Sequence, residues 1–252
     1  MARACWAAGA AVAMPAFAQN APYTPITPAQ PTEDASKIEV VEFFSYGCPH
    51  CADFNPLLHA WAAKQQGDVV VKKVPITFGR AAWANIAKLY YALEVTGDLN
   101  RLESDVFKAI HGERVNLFDE RTLTEWVTKK GVDAKKFADT FNSFGVMSKV
   151  RRGDQLAQAY KIQGVPALAV EGKFLIGGKD FNDTTAVASE LLPGGKYSGT
   201  FNKELDAIAD VADEPGQALR GTAVLVEPVE HDRRSAVTFV QRPGVGEPGD
   251  PL

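Results

Sequence analysis

The chain has 252 residues, 46% hydrophobic and 23% charged, with 27 Lys and Arg against 31 Asp and Glu for a formal net charge of −4. That suits a globular protein with one generous core, and an acidic balance without a dense basic cluster excludes a nucleic-acid footprint. The longest uncharged apolar run, residues 5–18, is shorter than the ~20 residues that cross a bilayer.

That run reads as a targeting segment. Arg3 precedes it, and it ends Ala16-Phe17-Ala18 before Gln19, a small-x-small cleavage pattern, so residues 1–18 are expected to be removed on export. Cys5 leaves with them, and Cys48 and Cys51 remain as one pair, too few to staple a scaffold. Residues 19–36 place Pro22, Pro25, Pro28 and Pro31 at every third position, which predicts an extended leader that acts as a tether.

From residue 38 the text changes to IEVVEFFSYG, an apolar, β-branched and aromatic strand ending at Gly47. Pro49 opens a helix in which Phe54, Leu57, Leu58 and Trp61 recur at helical spacing until Gly67, and residues 69–74 form a second strand. Strand, helix and strand with short connections predict a βαβ unit. Residues 80–160 are helical throughout, with Trp83, Ile86, Tyr90 and Leu93, then Leu102, Val106 and Ile110, then Leu123, Trp126 and Val127, then Phe137, Phe141 and Phe144 as successive apolar faces. These faces read as core, His59 and His111 as surface or core histidines. Strands at 167–170 and 173–176 meet at Glu171-Gly172, and a helix over 182–192 closes the pattern. The order βαβ, helical block, ββα is that of one α/β domain interrupted by a helical insertion. Residues 206–252, with 5 Pro and 5 Gly, show no core pattern and predict a low-order tail.

The chemistry concentrates at Cys48-Pro49-His50-Cys51, between strand and helix. Cys48 sits where unpaired helix amides and the positive dipole end favour an anion, His50 is adjacent, and the i, i+3 spacing brings Cys51 within disulfide reach. Cys48 is therefore expected to be a thiolate at neutral pH and Cys51 a buried, ordinary thiol. Each pKa unit that Cys48 lies below ambient pH is worth ~1.4 kcal/mol, or about 30 mV for a two-electron couple, in favour of the reduced pair. The motif thus points to a protein that gives its disulfide away. Two blander readings stand beside this one. Half of a zinc site would need further ligands, and His59, His111 and His231 lack ligand spacing; an inert disulfide over so short a loop would stabilise little.

With EFFSYGCPHC at residues 42–51, a helical block, and GVPA at residues 164–167, the sequence resembles the DsbA family of periplasmic thiol:disulfide oxidoreductases over about residues 37–205. The resemblance implies an α/β, thioredoxin-like fold with an inserted helical domain: residues 37–79 and 151–205 make the thioredoxin-like domain, and 80–150 the insertion. It implies Cys48 as exposed nucleophile, Cys51 as buried resolving cysteine, and Pro49 and His50 as the tuning dipeptide. Pro166 matches a cis-proline facing the disulfide, with Val165 before it offering backbone to an extended substrate. Glu42 matches a buried acid that carries a proton for Cys51, and Lys73 a nearby lysine, at a different spacing. The strongly acidic cysteine for which this family is the standard example is implied by the resemblance alone.

The resulting expectation is an enzyme, a periplasmic thiol:disulfide oxidase without metal or cofactor. Unfolded exported polypeptides with free thiols are its substrates, and a membrane quinone-linked partner of the DsbB type its reoxidant. A disulfide isomerase or reductase, and a peptide-binding, chaperone-like module without turnover, are the alternatives.

Overall fold

A computed structural model describes residues 21–65 and 67–198. The expected targeting segment and the tail lie outside the described residues, as does the second of the two units into which the chain divides, Ala209–Leu252.

Strand β1 (Tyr23–Pro25) is followed by β2 (Ile38–Phe44), helix α1 (Pro49–Ala62) and β3 (Val69–Pro75). Helices α2 (Ala81–Thr96), α3 (Leu99–Phe107), α4 (Glu120–Lys129), α5 (Ala134–Phe141) and α6 (Phe144–Ala159) intervene before β4 (Ala167–Val170), β5 (Phe174–Ile176) and α7 (Phe181–Leu191). The sheet runs β1-β5-β4-β2-β3, with β2 and β3 parallel and the other pairs antiparallel. Among the described residues this is the expected thioredoxin-like sheet, with βαβ and ββα halves around a helical block.

Alternation along β2 sorts its side chains onto two faces. Val41 and Phe43 enter a cluster with Ile76, Ala157 and Tyr160, whereas Val40 packs with Phe54 and Leu58 of α1. Glu42 and Phe44 share the parity of Val40, so the acid lies on the sheet face that α1 covers. The β2–β3 register then sets Glu42 directly opposite Lys73.

Side-chain caps start four helices: Asp119, Asp133, Ser143 and Asp180 accept from the amides of Thr122, Lys136, Val146 and Asp183. Gly97, in the left-handed region at φ 86°, closes α2.

Three features depart from the sequence reading. The described part of the Pro-rich leader is docked and not a tether: β1 pairs with β5, Tyr23 packs edge-on to Phe174, and Ile26 is buried. Prolines tolerate this because an edge strand leaves alternate amides unpaired. The boundary drawn at residue 150 falls inside α6, which serves two cores: Val146 and Val150 pack into the helical block, and Ala157 packs against the sheet. Phe144, expected as core, opens that helix 75% exposed.

Gly153 brings α6 close to β3. A Cβ there would lie 2.8 Å from the Pro75 carbonyl oxygen and 3.3 Å from Val74 Cγ1. Alanine gains about 1 kcal/mol over glycine in a helix, but overpacking against backbone costs about 1–3 kcal/mol. Gly153→Ala is therefore expected to lower the urea midpoint, by about 1 kcal/mol in stability. An unchanged or raised midpoint would show that α6 can move off the strand freely.

Candidate active site

The turn after β2 delivers Cys48 to the start of α1. The Cys48 amide donates to the Ser45 carbonyl at 3.0 Å, and Cys48 takes extended dihedrals (φ −97°, ψ 118°) as N-cap before Pro49. Gly47 must lack a side chain: a Cβ would lie 2.9 Å from Trp83 Nε1 and 3.1 Å from Phe118 Cε1. The helical block thus presses on the turn that carries the cysteine.

Cys48 and Cys51 are both free thiols, and both belong to the buried cluster of the helical block. Cys51 is fully buried, as expected. Cys48 is only 8% exposed, less open than the expected exposed nucleophile, because the half-buried Val165 lies over it with its carbonyl oxygen 3.3 Å from Sγ. The Val165–Pro166 peptide is cis, as expected.

The electrostatics separate the two sulfurs. A hydrogen bond from the Cys51 thiol does most to lower Cys48; burial opposes it, the Cys51 and His50 backbone amides add to it, and the His50 charge comes last, giving a value of about 6. Burial pushes the Cys51 thiol far up, and its role as donor to Cys48 pushes further. The dominant cause at Cys48 is therefore its partner cysteine and not His50. His50 and Pro49 are exposed, and the imidazole lies 6.4 Å from the Phe181 ring, edge-on.

Below the cysteines lies a charged cluster that the sequence reading found only in part. Glu42 is wholly buried, with Oε2 3.1 Å from Lys73 Nζ. Burial holds its carboxyl above the usual range, and Lys73 partly offsets this. Lys73 also contacts Glu103 Oε1 at 2.5 Å and Asn55 Oδ1 at 2.6 Å. His59 Nε2 meets Glu103 Oε2 at 2.8 Å. Burial works against both charged partners; yet Glu42 and Glu103 hold Lys73 above the usual lysine range, and His59 and Lys73 hold Glu103 below the usual carboxylate range. Glu103, Asn55 and His59 were not singled out as site residues. A signal existed: Glu103 interrupts the stripe Leu99, Leu102, Val106, Phe107 on α3, and Asn55 the stripe Cys51, Phe54, Leu58 on α1. Among the described residues, no three His, Cys, Asp or Glu side chains gather as metal ligands.

A thiol pair with its acidities pushed apart, at a helix start and beside a carbonyl edge, can exchange disulfides. Comparison with known proteins agrees with that chemistry. Residues 39–186 match the DSBA-like thioredoxin domain family. The thiol:disulfide interchange protein DsbA of Bordetella parapertussis is 42% identical over 160 residues, 62% of this chain and 76% of that protein. DsbA of Burkholderia cepacia is 38% identical over 157 residues, 62% of this chain and 74% of that protein. The crystal structure of oxidoreductase DsbA from Xylella fastidiosa superposes with a TM-score of 0.63 at 34% identity, covering 66% of this chain and 91% of that one.

The Cys48 shift makes stability depend on pH in one redox form only. The thiol is lowered from an ordinary 9.0 to about 6 in the fold, and the disulfide form has no thiol there to titrate. A lowered folded value stabilises the reduced form fully above the unfolded pKa, and the gain is lost as pH falls through the folded one. Reduced-minus-oxidised stability is therefore expected to rise by about 2–3 kcal/mol from pH 5 to pH 8 and to be flat below pH 5. Urea denaturation of both forms at the two pH values checks this; a gap independent of pH would contradict a thiolate at Cys48.

Proposed function

The chain belongs to the DsbA-like family of thioredoxin-fold thiol:disulfide oxidoreductases, and from that premise we propose that it acts as an oxidant, donating a Cys48–Cys51 disulfide to exported polypeptides. The observation that carries this direction is the asymmetry of the two sulfurs, Cys48 near 6 and Cys51 pushed far up. A stabilised Cys48 thiolate favours the reduced pair, so the disulfide is readily surrendered.

In the forward reaction a substrate thiolate attacks Cys48 Sγ of the disulfide. The S–S bond breaks, Cys51 leaves with the electron pair and is protonated, and Cys48 is held in a mixed disulfide. A second substrate thiolate attacks the substrate sulfur, expels Cys48 as thiolate, and leaves the substrate oxidised by two electrons. Pro49 sets the helix start, and His50 adds a small favourable charge. The backbone of Val165 and Pro166 offers an edge to an extended substrate, on the side where the Val165 carbonyl already faces Cys48. Glu42 supplies the proton that Cys51 takes. The Ala-rich stretch ending at Ala18 supports export to the periplasm, and a membrane quinone-linked partner of the DsbB type is the reoxidant that such a cycle needs. Among the described residues no helix is long and apolar enough to cross a membrane.

Two measurements test the reading. Equilibration with glutathione buffers is expected to leave the pair largely reduced even where oxidised glutathione dominates; an equilibrium like that of a reducing thioredoxin would sink the oxidant direction. Cys51→Ser is expected to accumulate reductant-sensitive adducts with exported proteins on non-reducing gels, and Cys48→Ser few, since Cys51 presents no accessible sulfur. Equal adducts from both variants would reverse the assigned roles.

A further inference from the structure

The proposed cycle leaves one problem unsolved, which is how a proton reaches and leaves a fully buried Cys51 while a substrate covers Cys48. The charged cluster under α1 suggests a way. Its members follow one another at contact distance, Glu42 to Lys73 at 3.1 Å, Lys73 to Glu103 at 2.5 Å, and Glu103 to His59 at 2.8 Å. Side-chain exposure along the same path is 0%, 10%, 6% and 53%. The last member is the one largely open to solvent, and it lines, together with Lys73 and Glu103, a cavity of about 570 Å³ that also includes Tyr90, Tyr91 and Asn100.

We propose that Glu103 and His59 are the outer half of a proton conduit that links Cys51, through Glu42 and Lys73, to solvent on a part of α1 remote from the substrate face.

His59 lies eight residues beyond Cys51 on α1, or ~12 Å along the helix axis. A peptide bound beside Cys48 and Val165 would thus leave the His59 end open. The inner end has the right character. Neither Glu42 oxygen finds a well-formed hydrogen bond among the described residues, an unusual state for a buried carboxyl and one that suits a group taking up and releasing a proton. The charge of Glu42 is also among the influences that raise Cys51. Lys73 points its ammonium at Glu42, Glu103 and Asn55, so it is placed to hand a proton either way. Asn55, which does not titrate, fixes the remaining donor.

The transfer balances. When Cys51 leaves as a thiolate it takes the Glu42 proton; Glu42 is refilled by the Lys73 ammonium, the Glu103 carboxylate takes a proton from His59 and passes it to Lys73, and His59 is refilled by solvent. The net change is one proton from solvent to Cys51. Reoxidation runs the path in reverse, because Cys51 must lose its proton to attack a mixed disulfide at Cys48. No electrons move through the cluster.

This inference rests on the proposed roles of Cys48 and Cys51, and its test is separable from theirs. Reduced protein is mixed with saturating oxidised glutathione, and release of glutathione from the Cys48 mixed disulfide is followed by acid quench and mass spectrometry. That first-order step requires Cys51 to lose its proton. Wild type is expected to complete it, whereas His59→Gln and Glu103→Gln slow it at least tenfold. His59→Ala is slowed likewise and regains at least a third of the wild-type rate in millimolar imidazole. The glutathione equilibrium of the His59 variants stays within about threefold of wild type, because a conduit changes rates and not end states. His59 is half exposed, so its variants test the idea even if Glu103→Gln fails to fold. Release at the wild-type rate in His59→Gln overturns the conduit, as does a slowed His59→Ala that ignores imidazole. Failure of wild type itself to form and resolve the mixed disulfide would instead remove the underlying functional reading.

Discussion

The interaction of the Cys51 thiol, as donor, with the Cys48 sulfur is the constraint on which the acidity of this thiol pair depends. It exists only while Cys51 keeps its proton, and full burial ensures that it does. The same bond is the largest influence lowering Cys48. Each sulfur therefore defines the state of the other, and a disulfide between them removes donor and acceptor together. The i, i+3 spacing at a helix start makes the contact possible; the amides of His50 and Cys51 reinforce it at no cost in side-chain ordering.

Holding that bond in place requires two cores to meet. Phe44, Tyr46, Cys48 and Cys51 lie in one buried cluster with Tyr90, Phe107 and Leu123, so the cysteines are packed by the inserted helices as much as by the sheet. Trp83 and Phe118 close on Gly47, and the His111 ring meets the Tyr46 carbonyl oxygen at 2.7 Å. At the same end of the sheet, just beyond β3, Asp154 of α6 accepts from both the amide and the hydroxyl of Thr77, at 2.7 Å and 2.6 Å. The insertion is thus built into the active-site frame and is not an appendage to it.

The chain order of the elements was legible because each carries a strong period. Residues 38–44 are β-branched and aromatic apart from Glu39 and Glu42, and the helical faces repeat at three and four. The cysteine pair was legible because its spacing and its place between strand and helix are local facts. What escaped depended on partners distant in sequence. Tyr23 and Ile26 become structural only when β5 comes alongside, which no local pattern in a Pro-rich segment announces. Glu103 and His59 become one unit only when α3 crosses α1. Lys73 could be matched loosely by resemblance, but its pairing with Glu42 is a matter of strand register. Sequence shows that His50 is adjacent to Cys48 and not how its charge ranks beside the Cys51 thiol and the backbone amides, among which it comes last.

The two ends of the sheet carry a further consequence. Unpaired strand edges can template the pairing of any passing backbone. Here one edge is β1, where Ile26 and Pro22 bond inward to β5, so that by alternation the outward position at residue 25 falls to a proline with no amide to offer. The other is β3, which carries Lys72 and Lys73 and ends at Pro75. Lys72 is tied to Glu33 at 2.8 Å, binding the N-terminal segment over that side of the sheet. Both borders are thereby blunted against adventitious strand addition.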